Sequence, residues 1–180
     1  GWVLQQAIKF QTAYESEIPV LVLDSDTVLI APRTFLNTGK VLLMVGTDNH
    51  KPYFEHIRRY FDSDTRMEPL SFVTHHQVIL PSLLEDMFVR FGGLYRWLKL
   101  GLEKKGSTSP VSEYQTYGSF TYKYHRDEFI LCSWSNRNAR AAEYRLLAIS
   151  PYSALDQLER KSGRNLFSIS FHSYLQPPTL

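Results

Sequence analysis

Apolar positions along the chain follow two periods. "VLVL" (Val20–Leu23), "TVLI" (Thr27–Ile30) and "KVLLMVG" (Lys40–Gly46) are short β-branched runs and predict buried strands. In "GWVLQQAIKFQTAY", Val3, Ala7, Phe10 and Tyr14 recur at helical spacing, with Gln5, Gln6 and Lys9 on the other faces. "HKPYFEHIRRYF" puts Tyr53/Phe54, Ile57 and Phe61 on one side and predicts a second helix. "PSLLEDMFVRF" starts at Pro81, a residue suited to a helix N-terminus, and runs to the Gly92–Gly93 break. "LYRWLKLGLEKK" continues as another helix. "PRTF" reads as a short turn or helix, "LSFVTHHQVI" begins as a strand, and "GSTSP" is a loop. "VSEYQTYGSFTYKYH" starts as a helix and then loosens. "EFILCSWS" is a strand, 139–149 and 153–162 are helices, the second ended by Gly163, and "NLFSISFHSYL" is a last strand.

Strands alternating with helices predict an α/β fold with a mostly parallel sheet flanked by helices. In such sheets ligands sit at the carboxyl ends of strands. Asp24 and Asp26, in "VLVLDSDTVLI", stand at such an end. The chain opens inside a helix and enters its key strand directly, which predicts that a strand upstream has been trimmed away.

Composition narrows the function classes. The 180 residues fit one globular domain, and 43% hydrophobic content with 21% charge excludes a disordered chain. Net charge is only +2, and the basic residues form short pairs (Arg58–Arg59, Lys104–Lys105, Arg137/Arg140) and no stripe, so nucleic acid is not the expected partner. The lone cysteine, Cys132, excludes an internal disulfide and a cysteine-rich zinc site; its place in "FILCSW" predicts core. No apolar run approaches the roughly 18 residues of a bilayer span. With no signal peptide visible, the expected compartment is the cytoplasm.

Acidic residues are rarely buried unless something pairs with them. Asp24-Ser25-Asp26 therefore has three readings. It is a D-x-D clamp for one hard divalent cation that in turn holds a diphosphate. Or it is a haloacid-dehalogenase-type phosphoryl-transfer motif, with the first Asp as nucleophile and the second as general acid. Or it is an Asx-rich turn. The phosphoryl-transfer reading needs a later G-D-x-x-x-D, which "GTDNHK" does not fit, and a nucleophile strand that comes first, whereas here a helix precedes it. "DSDT" recurs at Asp62–Thr65 after the helix "HIRRYF", without an apolar strand in front, and there it reads as a solvated loop.

The ordered set "GWVLQQAIKF…VLVLDSDTVLI", "SFVTHH", "SEYQTYGSF" and "SFHSYL" resembles a group of GT-A-fold glycosyltransferases that includes bacterial polysaccharide enzymes and a capsid-glycosylating domain of large algal viruses. The resemblance runs from Gly1 to about Leu175 and implies one glycosyltransferase-like domain over 1–180, without the family's N-terminal nucleotide-binding strand. It implies that Asp24 and Asp26 bind Mn²⁺ or Mg²⁺ with the diphosphate of a nucleotide-sugar donor, with His172 as a third ligand. An imidazole among oxygen ligands favours manganese. By the same resemblance Gln6, Lys9 and Ser25 approach the nucleotide or diphosphate. Glu113 is then the base for an inverting transfer to a glycan acceptor, although Ser112-x-x-Gln115 is equally a capping box that explains an acidic first turn. His75 and His76 point to opposite faces of an expected strand, so at most one faces the site; either is a candidate for the donor sugar or acceptor, the other being structural. Tyr114, Tyr117 and Trp134 are candidates for an acceptor platform. The alternatives are a magnesium phosphatase or phosphotransferase and a non-catalytic sugar-nucleotide-binding module.

Overall fold

The computed structural model describes residues 1–30, 32–37, 39–62, 70–103, 106, 109–162 and 166–172. Within them the chain is a mixed α/β protein of seven α-helices and three small sheets. The elements are α1 (Trp2–Tyr14), β1 (Val20–Leu23), β2 (Thr27–Leu29), β3 (Leu36–Asn37), β4 (Lys40–Val45), α2 (Lys51–Tyr60), β5 (His76–Ile79), α3 (Pro81–Phe91) and α4 (Gly93–Leu102). They continue with α5 (Glu113–Tyr124), a 3₁₀ turn at Arg126–Glu128, β6 (Phe129–Ser133), β7 (Asn136–Asn138), α6 (Ala141–Ile149), α7 (Pro151–Ser162) and β8 (Ser168–Ser170).

The mostly parallel sheet expected from the sequence is not what forms. β1 pairs antiparallel with β5, β2 with β8 and β3 with β4; only β4–β6 and β7–β8 are parallel. An apolar run does not carry its own strand direction, because direction depends on the partner that the intervening chain brings alongside. Other expectations shift in smaller ways. "PRTF" forms no helix over 32–35, and the strand expected from "LSFVTHHQVI" shrinks to His76–Ile79. α5 runs unbroken to Tyr124, where loosening was expected. Cys132 is half-buried on β6, not core. Of the second DSDT only Asp62 is described, at a left-handed φ of 45°; Ser63, Asp64 and Thr65 lie outside the described residues, as do Lys104, Lys105, Gly163 and Ser173–Leu175.

The main core forms between α1, α2, α3, α4 and α5, with Ile79 of β5 among its buried side chains. α1 turns Gln6, Ala7, Phe10 and Ala13 inward while Tyr14 stays exposed, so its buried face is rotated from the expected one. Phe10 meets Phe88 and Trp97 edge-on at 5.7 and 5.1 Å. α3 stops at Gly92, whose φ of 84° suits the left-handed C-terminal position. α5 is buried from Glu113 through Thr121 on all sides, as a central helix must be. It starts at Ser112, whose hydroxyl accepts from the Gln115 N–H at 3.2 Å.

Gly118 lets α5 touch the 70–75 segment that leads to the cleft. A Cβ there would run into the Cβ and ring of Phe72, which is itself buried. Gly118→Ala is expected to destabilise the protein by about 1–3 kcal/mol, the usual cost of overpacking, despite the better helix propensity of alanine. Urea unfolding checks this; an unchanged or raised midpoint contradicts the packing.

Candidate functional site

The D-x-D segment is a tight turn between two strands. Thr27 N–H donates to the Asp24 carbonyl at 3.0 Å, and Asp24 N–H donates to the His75 carbonyl at 2.9 Å. β8 then seats beside β2: Thr27 Oγ1 lies 2.8 Å from Ser170 Oγ, and Phe171 N–H donates to the Asp26 carbonyl at 2.6 Å. That pairing delivers His172, whose Nδ1 lies 3.0 Å from Asp26 Oδ2.

Asp24 is fully engaged by protein groups. Its Oδ1 accepts from Lys9 Nζ at 2.5 Å and from the Tyr114 hydroxyl at 2.8 Å, and its Oδ2 lies 3.2 Å from His75 Nδ1. Lys9 also donates to Glu113 Oε1 at 2.6 Å. Gln6, with its amide nitrogen turned inward, donates to the Glu113 carboxylate from the other side. Burial opposes the Lys9 charge, but Glu113 and Asp24 outweigh it and raise its pKa above the ordinary lysine value. For Asp24, burial would raise the pKa, but the His75 and Lys9 contacts prevail and lower it. Glu113 has no exposed surface, and burial pushes its carboxyl up to about 7 against the pull of Lys9.

His75 does not sit in a strand. It precedes β5 at φ 63°, a left-handed conformation rare outside glycine. This turn aims its ring between two acids: Nδ1 at Asp24, and Nε2 at Asp48, 3.3 Å away and off the line of a hydrogen bond. Burial works against protonation, yet the two carboxylates carry the His75 pKa up to about 9. His76 takes the opposite course. It is fully buried, its ring centroid 4.0 Å from that of Trp134 at a tilt of 49°, with Nδ1 hydrogen-bonded to the Thr74 carbonyl; burial drops its pKa to about 4, so it is a neutral core residue. Of the two histidines His76 is thus the structural one and does not reach the cleft.

A cleft of about 540 Å³ gathers these groups. Gln6, Lys9, Asp24, Ser25, Asp26, His75, Tyr114 and His172, all proposed from sequence, line it. Glu113 does not: it lies behind Lys9 and Gln6. Tyr117 is buried on the core side of α5, its hydroxyl accepting from Leu80 N–H at 2.9 Å, which removes it from any acceptor platform. Sequence reading missed Asp48, His50, Tyr53, Trp2 and Ser109 on the same walls. Asp48 had a legible signal, since "GTDNH" directly follows the strand "KVLLMV" at its carboxyl end.

The lining carries three carboxylates (Asp24, Asp26, Asp48) against two cations (Lys9, His75), so the cleft is acidic. Asp26 keeps 40% of its side chain exposed beside His172, whose Nδ1 is engaged by Asp26 Oδ2, whereas both Asp24 oxygens already accept from protein groups. Among the described residues no three His, Cys, Asp or Glu groups converge as a ready-made cage. Among the described residues no helix is long and apolar enough to cross a membrane.

No protein-family model, curated protein or solved structure matches this chain.

His75 ties the cleft to pH. Its folded pKa lies above the unfolded value near 6.5, so its contribution is present below that value and is lost as pH rises through about 9. The native protein is expected to lose up to about 3 kcal/mol between pH 6.5 and 9.5 from this group. Glu113, raised to about 7, adds a decline only up to that pH. His75→Asn, which tolerates the left-handed backbone, should flatten the loss above pH 7.5. Chemical denaturation at pH 7.5 and 9.5 reads it; equal slopes for both proteins contradict the assignment.

Proposed function

We propose that the chain is a glycosyltransferase that takes a sugar from a nucleotide-diphosphate donor, of UDP type, and passes it to a hydroxyl of a glycan acceptor. The observation that carries this reading is the cleft's mixed lining. Asp24, Asp26, Asp48, His75 and His172 bring acids and imidazoles to the lining, and Trp2, Tyr53 and Tyr114 bring aromatic rings, Tyr114 donating to Asp24 where the two kinds of group meet. One ligand that carries a cation-bridged diphosphate beside a flat base and a hydroxylated ring suits both kinds of group. The GT-A architecture belongs to this proposal too, supported by the resemblance of the four motifs.

In this reading Asp26 and His172 hold Mn²⁺ or Mg²⁺, and Asp24 buttresses the turn. What a bound cation supplies is charge neutralisation of the leaving diphosphate. Lys9, Gln6 and Ser25 face the donor, Lys9 presenting its charge from the cleft wall. His75 bridges Asp24 and Asp48. Glu113 positions Lys9 and does not touch the acceptor, because it has no surface in the cleft. The phosphotransferase alternative is less well supported: Asp24 has no idle oxygen to act as nucleophile, and β1 lies in an antiparallel pair.

Thermal shift with UDP, with and without Mn²⁺, tests the reading. At one hundred times Kd, ligand binding to the native state stabilises by about 2.7 kcal/mol, a rise of about 5–10 °C for a chain of this size. The rise should need Mn²⁺, vanish in Asp26→Asn and persist in Asp62→Asn. A shift with vanadate but none with UDP would overturn the proposal in favour of phosphoryl transfer. Glu113→Gln should weaken UDP binding and leave the single-turnover rate within a few-fold, whereas loss of about 10²-fold or more in that rate would restore Glu113 as the base.

A further inference from the structure

Three of the described arginines are half-buried, Arg33, Arg96 and Arg137, and they differ in where their donors go. Arg96 donates to the Tyr60 and Phe91 carbonyls at 2.8 and 2.9 Å, and Arg137 grips Glu143 with two prongs at 2.8 and 2.5 Å. Among the described residues Arg33 has neither a hydrogen-bond acceptor nor a carboxylate partner. Its Nε is buried without an acceptor, while its terminal nitrogens reach the surface. A guanidinium carries five N–H donors and a permanent charge, so a half-buried one with no acceptor calls for an explanation. Arg33 is held by shape instead: its guanidinium carbon lies 4.2 Å from the centre of the Phe167 ring. That ring is firmly mounted. Phe167 N–H donates to the Ser135 carbonyl at 2.9 Å, and the Phe167 carbonyl accepts from Ile30 N–H at 3.2 Å. Behind it, Trp134 lies 5.1 Å away centre to centre, fixed by its indole N–H donating to Ser168 Oγ at 2.9 Å. A phenyl ring orients the guanidinium and takes none of its donors. The place is remote from the cleft, whose lining includes neither Arg33 nor Phe167. Asp26 and His172 stand at one end of the β2–β8 pair and Ile30 and Phe167 at the other, roughly 13 Å apart at the rise of a strand.

We propose that Arg33, laid over Phe167, anchors one oxyanion, a carboxylate or a phosphate, at a site outside the cleft. The two terminal nitrogens are the edge that faces the ligand, and two parallel N–H···O bonds from that edge to a pair of oxygens are the strong and specific form of the contact. A cationic ligand is repelled, and a neutral one leaves the guanidinium charge unbalanced where it is partly desolvated. Preorganisation adds to the affinity: the side chain has given up much of its rotamer freedom against Phe167 before anything binds, so less is lost on binding. The assignment does not depend on the glycosyltransferase reading of the cleft.

The test titrates ¹⁵N-labelled protein in low-salt buffer with sodium phosphate and with the sodium salt of methyl glucuronoside. Methyl glucoside and sodium chloride at matched ionic strength are the controls. The readouts are the Arg33 Nε–H signal, assigned by its loss in Arg33→Gln, and the Phe167 backbone amide. Phosphate, glucuronoside or both are expected to shift the two signals saturably, and the controls to leave them in place. A response to phosphate alone makes the anchor a phosphate site, and a response to glucuronoside extends it to the carboxylate of an acidic sugar. Arg33→Lys keeps the charge and loses the fork, so its affinity, read at Phe167, should fall about tenfold or more. Phe167→Leu keeps apolar bulk but frees the guanidinium, so binding read at Arg33 Nε–H should weaken with the arginine intact. No shift by either anion beyond that caused by sodium chloride overturns the site. A Phe167 response that survives in Arg33→Gln overturns it too, and so does an Arg33→Lys affinity equal to that of the unaltered protein, which would reduce the contact to bare charge.

Discussion

One ammonium group holds the site together. Lys9 Nζ, from α1, lies between Asp24 at the end of β1 and Glu113 at the start of α5. These residues are far apart in sequence, and the three elements meet at this charge. A buried ion pair gains little over a well-packed apolar contact, but removing one partner strands the others and typically costs about 3–5 kcal/mol. The network therefore specifies more than it stabilises. It fixes how α1 and α5 face the D-x-D turn, and Gln6 and Tyr114 complete its hydrogen bonds so that no charge is left bare.

The same network divides the acids by role. Glu113 and Asp24 are spent on structure: one is sealed from water, the other has its oxygens filled. Asp26 and Asp48 keep exposed surface and remain available for chemistry. A carboxylate is useful to a ligand only when its lone pairs are not already taken, so burial and saturation, more than residue type, sort the candidates. His75 bridges the two sets, Asp24 to Asp48, from a strained backbone, the kind of cost that persists where the surroundings over-determine it.

Several parts were legible in the order of residues. α1, α2, α3 and α4 follow from apolar spacing, from Pro81 at the start of α3 and from Gly92 at its stop. β1, β2, β4 and β6 follow from short β-branched runs. Local chemistry sufficed because helix and strand periods are properties of neighbouring residues. Eight of the proposed site residues do line one cleft.

Contacts between distant segments decided the rest. Strand direction came from which runs meet, so the expected parallel sheet became antiparallel pairs. His75 and His76 are adjacent and alike in sequence, yet a left-handed turn at the first sends one ring to two acids and the other into the core against Trp134. Glu113 and Tyr117 read as site residues because a helix start near an active strand is a plausible place for them, but α5 is enclosed on every side and both are turned away from the cleft. What the sequence by itself determined was which segments are helical or extended and which carry acids and imidazoles; which of those groups reach water, which neutralise one another, and which share a wall depended on burial and partner geometry that no local pattern encodes.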